Sequence, residues 1–224
     1  MDWFEDWKET YRAEVSQIFG ARVVCAGVQG SRARGEATAT SDIDTVLILD
    51  ALSPTDLDDY RALIRRLPQA SLACGFVSGR EELLHWDEGE LVGFYFDTLC
   101  LIGSLDFLRP LLTREAAWRS AHQAACGWYH ALCHAAVFEE EPLDARAFAK
   151  GLFFLLRARG YAETGVFKVR LCDLLPQIGE TERALLSPLT ANETTNTELD
   201  RSAALALLSG WIRQDATIAP ILTA

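Results

Sequence analysis

The sequence lacks a long hydrophobic run and a basic, apolar leader. None of its apolar stretches approaches the roughly 20 residues that a membrane-spanning helix needs. The first ten residues, MDWFEDWKET, are acidic and aromatic, whereas a secretory signal is basic and then strongly hydrophobic. These absences argue against a membrane-bound or secreted protein. We therefore expect a cytoplasmic chain without a membrane partner.

Cysteine is present but shows no metal-binding or disulfide spacing. No Cys-x-x-Cys pair occurs, and most of the cysteines have apolar neighbours. Zinc sites and disulfide frameworks usually have recognisable cysteine spacings. We therefore expect buried, reduced thiols. The six cysteines are Cys25, Cys74, Cys100, Cys126, Cys133 and Cys172.

Positive charge is scarce relative to negative charge. The 224 residues include 21 Lys and Arg against 32 Asp and Glu, which gives a formal net charge of −11. Proteins that bind a nucleic-acid backbone usually show a basic face, because phosphate contacts supply much of the affinity. We expect no extended nucleic-acid partner. A small cationic partner is easier to accommodate, although acidity also serves solubility alone.

The pattern of hydrophobic residues changes near residue 110 and divides the chain into residues 1–110 and 111–224. In the first part, short β-branched runs alternate with amphipathic stretches of helical period, which predicts an α+β domain. The predicted helices are residues 3–19 and 56–67, with an acidic helix-like stretch at 81–90, and the predicted strands are 22–28, 43–50, 71–79 and 94–103.

The second part is rich in Ala and Leu at helical period, which predicts a C-terminal helical bundle. The polar, turn-rich segment SPLTANETTNTE is predicted to be a loop. The predicted helices are residues 114–139, 144–164, 171–178 and 198–215.

A glycine-rich turn and a pair of aspartates follow one another in the stretch GSRARGEATATSDID. Gly30 and Ser31 come directly after an apolar strand, where backbone amides and a hydroxyl can hold phosphate oxygens. Asp42 and Asp44 are two apart on the next strand, so both carboxylates project from the same face. Such a pair of oxygen ligands suits Mg²⁺ that also binds a substrate's phosphates.

This stretch resembles the signature of the nucleotidyltransferase superfamily that includes DNA polymerase β. That signature is Gly-Ser or Gly-Gly, nine to thirteen residues, and then Asp-hydrophobic-Asp/Glu. The match is especially similar to small bacterial members, namely the minimal nucleotidyltransferases and antibiotic nucleotidyltransferases such as the kanamycin enzyme. The resemblance implies a mixed sheet with flanking helices in the first part, followed by a helical substrate-side domain.

The resemblance also implies roles for individual residues. Asp42 and Asp44 would be catalytic and bind Mg²⁺, and the nucleoside triphosphate would be held by Gly30, Ser31, Arg32, Arg34 and Ser41. In the second part, AKGLFFLLRARGYAETGVFKVRLCDLL resembles the helical domain of small members, which implies that Lys150 and Arg157 contact nucleotide or acceptor. A solvated helix face with a long Lys and Arg explains those two residues equally well.

A third catalytic carboxylate, which members of the superfamily usually present from a later strand, is not obvious. The strand SLACGFVSG has no acidic residue. Asp97 is the candidate, because an aspartate inside an apolar strand-like run is unexpected. A turn in which Asp97 pairs with Thr98 is an equal alternative. Glu88 and Glu90 are weaker candidates, since a run of acids is usually a solvated helix face.

The sequence therefore favours an Mg²⁺-dependent nucleotidyltransferase that moves a nucleoside monophosphate from ATP to a hydroxyl of a small, cationic acceptor such as an aminoglycoside-like antibiotic. The protein could form a homodimer. One alternative is a nucleotidyltransferase-like module of a toxin–antitoxin or regulatory pair that modifies a protein or RNA, or is inactive. The other is a structural protein without a nucleotide site.

Overall fold

A computed structural model describes residues 3–190 and 198–222, with side chains up to residue 214. The chain divides into two units, Met1–Leu111 and Leu112–Ala224. Within the described residues, no helix combines the length and the apolar character needed to cross a membrane.

The first unit is built on a four-stranded mixed sheet, which confirms the predicted α+β class. The strand order is β3-β2-β1-β4. β1 runs antiparallel to both β2 and β4, whereas β2 and β3 are parallel. The strands are β1 (Val23–Gln29), β2 (Ile43–Leu49), β3 (Ala73–Gly79) and β4 (Leu99–Gly103).

Helices flank this sheet, and the first of them forms because aromatic and apolar side chains recur at helical spacing along one buried side. The third helix begins with a capping box. The Ser53 hydroxyl accepts a hydrogen bond from the Asp56 amide, and the Asp56 carboxylate accepts one from the Ser53 amide. The helices are α1 (Trp3–Phe19), α2 (Gly30–Arg34), α3 (Pro54–Arg66), α4 (Arg80–Leu84) and α5 (Glu88–Asp97), with 3₁₀ turns at Gly20–Arg22, Ala70–Leu72 and Asp106–Leu111.

Two predictions for this unit are wrong in detail. The predicted glycine turn at residue 30 is the short helix α2, and the predicted strand 94–103 is a strand only from Leu99 onward. Phe94 and Asp97 belong instead to α5. The run of aromatic residues looks β-like, but the Asp87 side chain caps this helix by accepting from the Glu90 amide.

The two faces of β2 have different environments. Ile43 and Leu47 are fully buried in one cluster with α1 and α3. Because successive side chains of a strand alternate, Asp44 lies on the opposite face together with Val46 and Ile48, which are fully buried as well.

The second unit is a helical bundle, as predicted, but it contains a helix that the sequence did not reveal. Residues Glu180–Thr190 are helical and bury Leu185, Leu186 and Pro188. The predicted loop begins at Ser187, so the prediction is wrong for its first residues, which belong to this helix. The rest of that predicted loop, residues 191–197, lies outside the described residues. The helices are α6 (Arg114–Phe138), α7 (Ala145–Thr164), α8 (Leu171–Leu174, continued by a 3₁₀ turn at Leu175–Gln177), α9 (Glu180–Thr190) and α10 (Arg201–Leu222).

The expectation that the cysteines are buried is wrong for three of them. Cys25 is buried, whereas Cys74, Cys126 and Cys172 are exposed. The exposure of Cys74 follows from its position at the start of β3, because β3 is an edge strand and the residues next to Cys74 are partly exposed as well.

Candidate nucleotide site

The two halves of the Gly-Ser and Asp-Ile-Asp motif are in contact. Gln29, the last residue of β1, pairs with Asp44 of β2, so Gly30 comes next to the Asp44 carboxylate. Gly30 has φ +72°, and a Cβ atom built on it would overlap Oδ2 of Asp44. Only glycine therefore satisfies both the backbone conformation and the close approach.

The two aspartates lie where β2 begins. Asp42 is exposed and immediately precedes the strand, Asp44 is partly buried, and Ile43 between them is fully buried on the other face. Oδ1 of Asp44 accepts a hydrogen bond of 3.3 Å from the Cys74 thiol, since Cys74 is its register partner on β3.

This donor set fits a magnesium ion of the kind that keeps several waters and takes further ligands from substrate phosphates. Two carboxylates two residues apart, Asp42 just before β2 and Asp44 within it, are sufficient for such an ion. Over residues 3–190 and 198–222, no group of three His, Cys, Asp or Glu side chains could by itself hold a metal ion. The protein would therefore rely on the substrate to complete the coordination.

Arg32, which the resemblance implies as a phosphate ligand, is hydrogen-bonded to backbone carbonyls of the protein. Its Nε lies 3.1 Å from the carbonyl oxygens of both Ser41 and Asp42, and its Nη2 also donates to the Ser41 carbonyl. The guanidinium lies 4.8 Å from the ring centroid of Trp3. Arg32 thus ties α2 and α1 to the segment that carries Asp42.

Ser41 shapes the same segment. Its Oγ accepts a 2.9 Å hydrogen bond from the Thr38 amide, and its own amide donates back to the Thr38 carbonyl. Ser31, the other serine of the motif, lies partly buried in α2 beside Gly30. The structure therefore places Ser31 at the contact between the motif's two halves and Ser41 in the turn that leads to Asp42.

Arg34 and Asp97 form an ion pair between α2 and the end of α5. Nη1 of Arg34 lies 3.3 Å from Oδ2 of Asp97, and its Nε donates to Glu36 at 2.8 Å. The side chains of Arg34 and Asp97 are only 8% and 13% exposed. Thr98 instead accepts from Gln29 and donates to the Phe94 carbonyl.

The two residues predicted to contact ligand in the second unit have different environments. Lys150 is exposed on α7. Arg157 is 1% exposed, its Nε donates to the Lys168 carbonyl at 3.0 Å, and its guanidinium lies against Phe153 and Phe167. Within this unit, Arg157 is part of the core.

A buried chain of hydroxyls behind Asp44 was not predicted. The Thr45 hydroxyl donates to the Cys74 carbonyl, and the Tyr60 hydroxyl donates to Thr45. Tyr11 lies 2.9 Å from the Tyr60 hydroxyl and donates to the Val46 carbonyl. Burial raises the pKa of both tyrosines, so they stay neutral donors. In the sequence, these tyrosines look like ordinary aromatic core residues, so the sequence does not indicate their hydrogen bonds.

A family of proteins and a solved structure are similar to this chain. Residues 9–85, which include the whole motif, match the family described as "Putative nucleotidyltransferase DUF294". None of the curated proteins matches the chain.

The fold is also similar to a solved structure, spectinomycin adenyltransferase AAD(9) from Enterococcus faecialis with ATP and spectinomycin. The TM-score is 0.56 at 11% sequence identity, and the match covers 93% of this chain and 99% of that one. Residues 9–85 are therefore similar to a family of nucleotidyltransferases, and the chain shares the fold of an adenyltransferase.

Proposed function

We propose that the protein is an Mg²⁺-dependent nucleotidyltransferase that moves a nucleoside monophosphate from a nucleoside triphosphate to a hydroxyl of a small acceptor. The contact between Gly30 and Asp44 is the observation that carries this proposal, because it brings a phosphate-binding backbone segment against a metal-binding carboxylate.

Each residue of the site has a part in the reaction. Gly30 and Ser31 would hold the triphosphate, and Asp42 and Asp44 would hold the magnesium ion. When bound, Mg²⁺ offsets negative charge on the reacting phosphate. The acceptor oxygen forms a bond to the α-phosphorus, the bond from that phosphorus to the bridging oxygen breaks, and pyrophosphate leaves.

The proton of the acceptor hydroxyl must also be removed. Asp97 remains the candidate from the sequence. Its ion pair with Arg34 supports a structural role instead.

ATP and a cationic, aminoglycoside-like acceptor are the substrates we propose. The similar structure is named for ATP and spectinomycin, and the net charge of −11 favours a cationic acceptor electrostatically. A cytoplasmic location and a homodimer remain predictions from the sequence.

Mass spectrometry of reaction mixtures tests this proposal. The full chain is incubated with Mg²⁺, the four common nucleoside triphosphates and a panel of aminoglycosides and aminocyclitols, and the products are searched for a transferred nucleoside monophosphate. We expect an adduct that disappears with Asp44→Asn. Asp59→Asn is the matched control, because Asp59 is an exposed carboxylate on α3. An adduct that survives Asp44→Asn would refute the site.

A second candidate, a regulatory or toxin–antitoxin module, is favoured by one observation. Within the described part of the chain, no third acidic side chain joins Asp42 and Asp44 in a metal-binding group. Incubation of the protein with labelled ATP and cell lysate distinguishes the candidates. Label on a protein or RNA supports the module, whereas Mg²⁺-dependent ATP binding without any adduct supports an inactive form.

A further inference from the structure

The sheet face that carries Asp44 is open at one end and closed at the other. Cys74, the register partner of Asp44 on β3, is exposed, whereas Val46, the next residue on this face of β2, is fully buried. Phe76 pairs with Val46 and contacts Phe94 of α5. Helix α5 therefore covers the face beyond this point, and the edge of the covered part lies next to Asp44.

Three aromatic side chains, Phe76, Trp86 and Phe94, form this edge, which we call the aromatic edge. The ring centroids of Phe76 and Trp86 are 5.3 Å apart at 87°, and those of Phe76 and Phe94 are 5.0 Å apart at 61°. Trp86 lies in the link between α4 and α5 and is 41% exposed. A perpendicular contact covers at most one face of an indole, so aromatic surface of Trp86 remains accessible.

Hydrogen bonds fix the aromatic edge relative to the motif. Gln29, the register partner of Asp44 on β1, donates from Nε2 to the Phe94 carbonyl at 3.0 Å. The indole Nε1 of Trp86 donates to Oε2 of Glu90 at 2.7 Å. The polar atom of the indole is thus satisfied within the protein, and what remains for a ligand is the flat apolar ring.

We propose that Trp86 is a stacking platform for the base of the nucleoside triphosphate. This inference rests on the proposed function, since it needs the phosphates to lie at Asp44. The base is joined to the α-phosphate through a single ribose, so it must come to rest on a surface close to that carboxylate. Stacking on an aromatic ring suits any base, because every base has a π face.

Binding measurements separate the base from the phosphates. The affinities of Mg²⁺-ATP and of Mg²⁺-tripolyphosphate, which has no base, are measured by calorimetry for the wild type, Trp86→Ala and Trp86→Phe. We expect Trp86→Ala to weaken ATP binding by roughly ten- to a hundredfold and to leave tripolyphosphate within about twofold. Trp86→Phe keeps a flat ring and should retain most of the affinity for ATP.

The controls make each outcome decisive. Phe138→Ala removes a 75% exposed aromatic side chain of the second unit and should change neither affinity. The stacking role would be overturned if Trp86→Ala lowered the affinity for both ligands equally, or left the affinity for ATP unchanged. It would also be overturned if the change affected only binding of the acceptor. If Asp44→Asn abolishes binding of both ligands while Trp86→Ala affects neither, the proposed function stands and this inference fails. A wild type that binds neither ligand refutes both.

Discussion

The carboxylate of Asp44 lies directly over the α-carbon of Gly30, in the position that a side chain at residue 30 would occupy. The two residues are fourteen positions apart in the sequence, and the antiparallel pairing of β1 with β2 brings them together. The geometry of the whole motif depends on this contact, and it can be tested with a closely matched pair of glycines.

Gly30→Ala should abolish Mg²⁺-ATP binding, because the new methyl group must displace the Asp44 carboxylate. Gly35→Ala is the control: Gly35 has the same φ of +72°, but no atom lies within 4 Å of the position of its Cβ. Both changes should lower the free energy of unfolding by about 1–2 kcal/mol through backbone strain. Calorimetric titration with ATP distinguishes them, and an equal loss of affinity in both variants would contradict the role of the contact.

Arg32→Ala should raise the Mg²⁺ concentration needed for half-maximal ATP binding by about tenfold, equivalent to about 1.4 kcal/mol. The reason is that Arg32 is hydrogen-bonded to the backbone carbonyls of Ser41 and Asp42, so we expect it to orient Asp42 and not to bind phosphate. Arg32→Lys should recover part of the loss, and Arg12→Ala, an exposed arginine on α1, should have no effect. Binding of tripolyphosphate without metal should stay unchanged in Arg32→Ala. If Arg32 contacted phosphate directly, its removal would weaken that binding too.

Asp97→Asn should lower the free energy of unfolding by about 3 kcal/mol, because it leaves the nearly buried Arg34 guanidinium without this counter-ion. The affinity for Mg²⁺-ATP should fall as well, since Arg34 belongs to α2. Glu36→Gln, which affects the more exposed partner of Arg34, should cost less. Normal stability and normal ATP affinity, combined with lost turnover, would instead make Asp97 the proton acceptor.

Arg157→Ala should destabilise the second unit by about 2–5 kcal/mol, since it opens a cavity among aromatic rings and leaves the Lys168 carbonyl without its donor. Lys150→Ala on the same helix removes an exposed side chain and should leave stability unchanged within about 0.5 kcal/mol. Chemical denaturation of both variants gives the comparison. A stable Arg157→Ala variant with weaker acceptor binding would restore the ligand role.

The ion pair between Arg22 and Asp56 should make stability depend on acid pH. Two hydrogen bonds of 2.6 and 2.9 Å from Arg22, with further bonds from Ser53, hold the pKa of Asp56 well below its ordinary value. The stabilisation is therefore complete above about pH 4, the ordinary range of aspartate, and is lost as the pH falls through the lower folded pKa.

Denaturation of Asp56→Asn against wild type between neutral pH and pH 2 checks this dependence. The difference in unfolding free energy should be constant down to about pH 4 and then shrink. Asp58→Asn, which breaks an exposed pair on the same helix, should change little at any pH. A difference that grows as the pH falls would show that Asp56 is not the responsible group.

Much of the fold could be predicted because its signals are local. The apolar residues of α1 recur at helical spacing, and β1 and β2 are short β-branched runs. Both patterns can be recognised from a short stretch of sequence. The run Phe94–Asp97 misled because aromatic residues favour strands, while a cap seven residues upstream and the contact with Phe76 make it helical. Helix α9 was not predicted because it begins with polar residues and contains Pro188, and both features are typical of a loop.

The site was less predictable, because side-chain roles depend on distant partners. The motif names Arg32 and Arg34 as cations near a phosphate site, but their partners include Trp3 and Asp97, 29 and 63 positions away in the sequence. Arg157 looks like one more cation on a helix, and only the packing of α7 shows that it is buried. Spacing predicts Asp42 and Asp44 as a pair because only the local course of the chain at the start of β2 is needed to place them near each other.

The hydroxyl chain that links Thr45, Tyr60 and Tyr11 has an evolutionary consequence. Replacing Tyr60 alone by phenylalanine removes one hydrogen bond from each of the buried Thr45 and Tyr11 hydroxyls, whereas replacing all three residues by apolar ones leaves no buried hydroxyl with a lost partner. These positions are therefore expected to covary among homologues, with lineages holding either the complete polar set or a wholly apolar one.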